Sequence, residues 1–215
     1  MTRIFKISVG IIFALITQQA LASYDETHKY SGGDGTDLTM HVFVPEAKKQ
    51  SGKAVVFYFG SGWRVGSPEQ FFPFCLALKA RGIACFAPDY RVSSRQGTDA
   101  IDALHDAQSA YQWVVLKGDK FGVDKSQIYV GGGSAGGHLA AAVAMIPNKL
   151  ITQAPAGMLL FNPGVDIGRS ARIQGLFRNQ AEQYSPIEYV RPSLPGAWIV
   201  HGKTDEVVPH STVVD

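Results

Sequence analysis

The sequence has few cysteines, no apolar run of transmembrane length and no excess of charge of one sign. Its two cysteines among 215 residues are too few for a disulfide-rich scaffold. The 20 Lys and Arg nearly balance the 18 Asp and Glu, so no dense basic face for nucleic acid is expected. His-Glu-x-x-His and clustered Cys/His spacings are also missing. We therefore expect no metal site, no cofactor and no nucleic-acid partner.

The N-terminal segment has the features of a secretory signal peptide. Arg3 and Lys6 precede an apolar run of about ten residues, half of the roughly 20 that a membrane-spanning helix needs. Ala20-Leu21-Ala22 then provides a small-x-small cleavage site. We expect residues 1–22 to be removed without leaving a permanent membrane anchor, so that residues 23–215 form one secreted or periplasmic domain. Removal takes two positive charges, which leaves 18 basic against 18 acidic residues.

Cys75 and Cys85 fall in a predicted helix and in the strand that follows it. An oxidising compartment would allow them to pair. Because the spacing does not give their Cα separation, two buried thiols are favoured here, and a disulfide remains the alternative.

The hydrophobic pattern predicts alternating strands and helices. Residues 26–45 alternate around Gly32-Gly33-Asp34-Gly35, which indicates an antiparallel hairpin at a sheet edge. Helical stretches near 68–81, 98–117 and 135–146 separate runs that we interpret as buried strands: Ala54–Phe59, Ile83–Ala87, Ile128–Val130, Met158–Phe161 and Ala197–Val200. This order predicts an α/β fold with a mostly parallel sheet covered by helices on both faces. Residues 164–196 break the rhythm and are expected to cross the carboxyl edge, where such sheets bind ligands.

Gly132-x-Ser134-x-Gly136, between a strand and a helix, is the pattern of a nucleophile elbow. The flanking glycines permit the sharp turn that exposes the serine hydroxyl, and the following helix directs N–H groups and a positive dipole end toward it. Ser134 is therefore the candidate nucleophile. Gly131-x-Gly133-x-x-Gly136 also matches a dinucleotide-binding fingerprint, which is disfavoured because that motif opens the first βα unit and needs an acidic residue about 20 positions later. A glycine-rich turn without function is a third interpretation.

Two further segments resemble those of one enzyme family. Phe57-Tyr58-Phe59-Gly60-Ser61-Gly62-Trp63-Arg64 is similar to the His-Gly-Gly-Gly-Trp loop of bacterial α/β-hydrolase esterases, the branch grouped with hormone-sensitive lipase and small acetyl-ester hydrolases. The resemblance implies that backbone N–H groups of Ser61 and Gly62, with that of Ala135, bind the oxyanion. Phe59 and Ser61 depart from the family pattern.

The second segment, Ile199 to Pro209, is similar to the family's His-Gly-x-x-Asp-x-x-Val-Pro stretch. The resemblance implies that Asp205 is the acid that orients the catalytic histidine. A structural aspartate that caps a turn is the alternative role for this residue.

In this family the histidine follows about 30 residues after the acid, whereas the chain ends ten residues after Asp205. His138 and His201 are expected to be structural, and His210 is a weak substitute for the base. We therefore expect a fragment of a longer enzyme that lacks a C-terminal helix, a C-terminal strand and the base. A naturally short, inactive relative is the alternative.

The resemblance and the elbow together predict a serine carboxylic-ester hydrolase that forms an acyl-enzyme on small acyl esters of alcohols or sugars. The chain is expected to be inactive because it lacks the histidine. The alternatives are an inactive relative that serves as a binding module and a serine peptidase.

Overall fold

The computed structural model describes residues 24–168 and 171–213. The predicted signal peptide therefore lies outside the described residues. Of the helices in the described part, none combines the length and the apolar character needed to cross a membrane.

One sheet contains all seven strands of the described residues, in the order β1-β2-β4-β3-β5-β6-β7. Its first two pairings, β1 with β2 and β2 with β4, are antiparallel, and the other four are parallel. The strands are β1 (Glu26–Ser31), β2 (Asp37–Phe43), β3 (Ala54–Tyr58), β4 (Ala84–Asp89), β5 (Ile128–Gly133), β6 (Met158–Phe161) and β7 (Ala197–Val200). The predicted mostly parallel sheet and the edge hairpin are confirmed.

The α-helices alternate with the parallel strands as the sequence pattern predicts. They are α1 (Phe72–Lys79), α2 (Ser93–Gln96), α3 (Ala100–Lys117), α4 (Ala135–Met145) and α5 (Ala171–Gln174). Helix α3 begins with a capping box, in which Asp99 accepts from the N–H groups of Ile101 and Asp102 and the Asp102 side chain accepts from the N–H of Asp99. Every residue of α4 is buried, so this helix forms part of the core.

The segment 164–196 is irregular, as expected. It contains α5 and three short 3₁₀ helices, Gly175–Phe177, Ala181–Tyr184 and Pro186–Tyr189. We call residues 164–196 the excursion.

The prediction that Ala197–Val200 is a buried strand is wrong. The strand forms, but all four of its residues are exposed, with Trp198 at 57% and Ile199 at 42%. In the described residues β7 is the last strand of the sheet and pairs with β6 alone. An apolar pattern predicts the strand, whereas its burial depends on neighbours that the pattern does not specify.

The preference for two free thiols is also wrong. Cys75 in α1 and Cys85 in β4 form a disulfide, with their Cα atoms 5.2 Å apart. Helix α1 packs on β4, which brings together two residues whose separation the sequence spacing does not give.

Candidate active site

Ser134 occupies the single position between the end of β5 and the start of α4. Its backbone has φ 53° and ψ −118°, a conformation that a non-glycine residue adopts only under strain. The Ser134 N–H donates to the carbonyl oxygen of Phe161 at 2.9 Å, and the Ser134 carbonyl accepts from the His138 N–H at 2.9 Å. The neighbouring strand and the first turn of α4 thus hold the strained residue in place, as expected of a nucleophile elbow.

The motif glycines are required because backbone segments meet at this turn. A Cβ on Gly136 would lie 2.0 Å from the carbonyl oxygen of Tyr58 and 2.4 Å from that of Phe59. A Cβ on Gly132 would lie 2.3 Å from the carbonyl oxygen of Gly136. Backbone oxygens cannot move aside as flexible side chains can, so glycine is the residue that fits at both positions.

The predicted oxyanion loop lies beside the elbow and has an unusual backbone. Ser61, Gly62 and Trp63 have φ values of 82°, 66° and 59°, so three successive residues are in the left-handed region. At the start of the loop, the Gly60 N–H donates to Gln70 Oε1 at 2.6 Å. Sequence reasoning missed Gln70, since no motif connects it to the loop.

Phe59 stands where the resembling family has histidine, and its ring is fully buried. The ring stacks on Tyr90 at a centroid distance of 4.0 Å, and the Tyr90 hydroxyl donates to the Phe59 carbonyl at 2.6 Å. Burial raises the pKa of the Tyr90 hydroxyl well above its ordinary value, so it stays a neutral donor. This departure from the family pattern is thus accommodated by aromatic stacking.

Asp205 lies in the loop after β7 and organises that loop. Its Oδ1 accepts from the N–H groups of Val207 and Val208, both at 2.9 Å. These bonds lower the pKa of Asp205 below its ordinary value, and the bond from Val208 contributes most. His201 and the Asn162 side chain make smaller contributions in the same direction. The carboxylate therefore stays ionised, and it also fills the turn-capping role that the sequence left as an alternative.

His201, the first residue after β7, also stabilises this loop. Its side chain is 2% exposed, and its Nε2–H donates to the Val208 carbonyl at 2.7 Å while lying 3.8 Å from Asp205 Oδ2. His210 stacks edge-on against the His201 ring at 5.6 Å. The structural role expected for His201 agrees with these contacts.

His138, one turn after Ser134, points into the interior. It is fully buried, and its Nε2–H donates to the Tyr184 carbonyl at 2.7 Å. Burial lowers its pKa to about 4, which keeps the ring neutral. The packed role predicted for His138 agrees with this environment.

A cavity of about 610 Å³ unites most of these elements. Three of the five predicted site residues line it, namely Gly62, Ser134 and Ala135. The other two, Ser61 and Asp205, do not line it, but each is next in the chain to a lining residue, Gly62 and Glu206 respectively. The excursion and the loop after Asp205 complete the wall with Gly164, Asp166, Ile167, Ile173, Leu176, Glu206, Val207, Val208, Pro209, Ser211 and Thr212, beside Trp63 and Arg64.

No histidine among the described residues lines this cavity or hydrogen-bonds to the Ser134 hydroxyl. Within residues 24–168 and 171–213, no three His, Cys, Asp or Glu side chains are grouped so that they could hold a metal ion. The cavity thus brings together the nucleophile candidate Ser134 and two of the three predicted oxyanion residues, with the ionised Asp205 in the adjoining loop, whereas no histidine of the described residues contacts the serine.

Comparison with known proteins gives consistent matches. The BD-FAE family model matches residues 40–158, which is more than half of the chain. Lipase 2 of Moraxella sp. (strain TA144) is 32% identical over 134 residues, covering 60% of this chain and 30% of the relative. Carboxylesterase NlhH of Mycobacterium tuberculosis is 32% identical over 118 residues, covering 54% of this chain and 36% of the relative. The chain thus spans about a third of the length of these curated relatives.

Among solved structures, the apo form of Thermogutta terrifontis esterase 2 superposes with a TM-score of 0.82 at 34% identity. The match covers 89% of this chain and 77% of that one. Structures of the same esterase have been solved with propionate bound and phosphonylated by sarin.

Proposed function

Because the chain belongs to the BD-FAE family and has the α/β-hydrolase fold of the solved esterases, we propose that it is a serine carboxylic-ester hydrolase for small acyl esters. The observation that carries the proposal is the strained Ser134, which opens onto a cavity shared with Gly62 and Ala135. The activity of its curated relatives, which include carboxylesterases, supports the same reaction.

In the proposed reaction, Ser134 Oγ attacks the ester carbonyl carbon while its proton passes to a histidine base. The carbonyl oxygen becomes an oxyanion, which the N–H groups of Ser61, Gly62 and Ala135 bind, each such donor being worth roughly 3 kcal/mol. The positive end of the α4 dipole favours the same charge. The histidine returns the proton to the leaving alcohol. Water then attacks the acyl carbon while the histidine takes a proton from it, and that proton passes to Ser134 Oγ as the carboxylic acid leaves.

We propose that Asp205 orients this histidine and that a longer form of the protein supplies it, because all six histidines of the 215 residues lie in the described part of the chain. The ionised carboxylate, with Oδ1 fixed by two backbone N–H groups, supports the role of Asp205. Two observations support a base outside the described residues. No described histidine reaches Ser134, and β7 presents an exposed apolar strand beside the Asp205 loop, as it would if further residues covered it.

The cavity supports a small acyl group. Ile167, Ile173 and Leu176 give one apolar wall, and Val207 and Val208 give another. About 610 Å³ lies near the middle of the usual range for small-molecule sites, which leaves room for a small acyl group and its leaving alcohol. The propionate bound to Thermogutta terrifontis esterase 2 supports a short acyl group. We propose that an alcohol or a sugar carries this group.

We also propose that the protein is exported after removal of residues 1–22. The disulfide between Cys75 and Cys85 supports this location, because disulfides persist in oxidising compartments.

Hydrolysis of p-nitrophenyl acetate tests the proposal. Residues 23–215 would be assayed beside their Ser134→Ala variant, and both would be assayed again in a form extended by any residues that the gene encodes after Asp215. We expect turnover in the extended form, none in its Ser134→Ala variant, and a large loss in Asp205→Asn. Turnover that Ser134→Ala retains would contradict the assignment of the nucleophile.

An organophosphonate ester with mass spectrometry identifies the reacting residue directly. We expect one adduct, on the peptide containing Ser134. A folded, extended protein that forms no adduct and hydrolyses no ester would instead support the binding-module alternative, and cleavage of amide but not ester substrates would support a peptidase.

A further inference from the structure

The oxyanion loop, residues 60–64, has one internal backbone hydrogen bond, from the Arg64 N–H to the Ser61 carbonyl at 3.3 Å, and otherwise depends on contacts with the rest of the protein. Ser61 and Trp63 are non-glycine residues with φ of 82° and 59°, a region that costs free energy and persists only when the surroundings impose it. Gln70 fixes the start of the loop through the Gly60 N–H. At its end, the carbonyls of Trp63 and Arg64 accept from the N–H groups of Ser93 and Ser94 at 3.3 and 2.9 Å.

The side chain of Trp63 is buried and packs against the rest of the protein. It is only 5% exposed, although Trp63 lines the cavity together with its neighbours Gly62 and Arg64. Its ring meets the rings of His138 and Phe177 edge-on, each at a centroid distance of 5.1 Å. His138 and Phe177 also touch each other, at 5.3 Å. Three rings from three parts of the chain thus form a closed aromatic cluster behind the elbow.

Phe177 comes from the excursion and is fully buried. The excursion is itself tied down on both sides of Phe177. The Arg178 guanidinium pairs with Asp99 and Asp102 at the start of α3, and the Tyr184 carbonyl accepts from the His138 ring. The ring of Phe177 is thus held in a fixed place against Trp63.

We propose that Phe177 is a positioning residue for the oxyanion loop: by packing against Trp63, the excursion holds Ser61, Gly62 and Trp63 in their left-handed conformation. The excursion would then both line the cavity, through Ile173 and Leu176, and set the geometry of the donors. This inference rests on the proposed function for its effect on catalysis, but the mechanical coupling does not.

Hydrogen exchange tests the coupling without reference to activity. Exchange of the peptide containing residues 60–64 would be followed by mass spectrometry in the wild type and in Phe177→Ala, Phe177→Leu and Phe121→Ala. Phe121 is the matched control, because it is a similarly buried phenylalanine that packs against Trp113, Phe86 and His28, away from the loop. We expect severalfold faster exchange in Phe177→Ala, partial recovery in Phe177→Leu and no change in Phe121→Ala, with residues 128–133 unchanged throughout.

Kinetics then test the consequence in the extended, active protein. We expect kcat for p-nitrophenyl acetate to fall roughly 100-fold in Phe177→Ala with little change in KM, as when one oxyanion donor is misplaced. If Phe177→Ala does not fold, Phe177→Leu serves for both measurements. Exchange of residues 60–64 that is the same in the Phe177 variants and Phe121→Ala would overturn the inference. An inactive wild type with faster loop exchange in Phe177→Ala would refute the proposed function and leave the coupling supported.

Discussion

Arg91 and Asp106 form a bidentate ion pair in the interior. The Arg91 Nε–H donates to Asp106 Oδ2 and the Arg91 Nη2–H donates to Asp106 Oδ1, both at 2.8 Å. The Asp106 side chain is fully buried, and its Oδ1 also accepts from the Gly33 N–H at 2.8 Å. One carboxylate of α3 thus fastens the segment after β4 and the turn of the β1–β2 hairpin. Sequence reasoning missed Asp106.

Replacing Asp106 by Asn should destabilise the protein strongly. The asparagine side chain has the shape of aspartate but no charge, so the Arg91 cation stays buried without its main partner. Such a loss typically lowers the free energy of unfolding by about 3–5 kcal/mol. Urea unfolding measures the loss. The control is Asp37→Asn, which breaks the pair between Lys29 and Asp37, with side chains 79% and 67% exposed, and should change stability by less than about 1 kcal/mol. Equal losses in the two variants would contradict the role of the buried pair.

Gly136→Ala should disrupt the elbow even though alanine favours helices. The new Cβ would meet two backbone carbonyl oxygens at 2.0 and 2.4 Å, an overlap that typically costs about 1–3 kcal/mol or more and displaces Ser134. Gly175→Ala is the matched control, since a Cβ there meets nothing within 4 Å. Thermal unfolding and labelling by the organophosphonate would be compared. A Gly136→Ala protein with unchanged stability would show that the turn is looser than the structure indicates.

Stability should fall with pH because of His138. Its pKa is about 4 in the folded protein, lowered by burial, against about 6.5 in an unfolded chain. The unfolded state therefore binds the proton more tightly, so the contribution of neutral His138 is fully present above pH 6.5 and is lost as the pH falls toward 4. The loss is about 3 kcal/mol.

His138→Gln isolates this contribution, because the glutamine amide does not titrate and can still donate to the Tyr184 carbonyl. Urea unfolding at pH 7 and pH 4.5 should show a smaller decline in the variant than in the wild type. Identical declines would mean that His138 is not the titrating group.

Reduction of the Cys75–Cys85 disulfide should lower stability by roughly 3 kcal/mol, as expected for a loop of about ten residues. Urea unfolding with and without dithiothreitol gives the difference, and the double variant Cys75→Ala/Cys85→Ala should not respond to the reductant. Two alkylatable thiols in protein purified without reductant would contradict the pairing.

Much of the fold could be predicted because its signals are local. Alternating residues predicted the β1–β2 hairpin, short apolar runs predicted the parallel strands, and helical spacing predicted α3 and α4. The elbow was predicted from Gly132, Ser134 and Gly136, since the steric demands of one turn are met by neighbouring residues. The structure gives the reason for both glycines, which lie against backbone oxygens.

The properties that only the tertiary structure decided depend on distances between segments far apart in the chain. The packing of α1 on β4 joined Cys75 to Cys85, and the position of β7 at the sheet edge left exposed a strand whose composition predicts burial. The contact of Phe177 with Trp63 leaves no trace in spacing, because packing selects shape and burial rather than sequence separation. The sequence by itself determined which residue stands at the elbow, and the tertiary structure decided what surrounds and holds it.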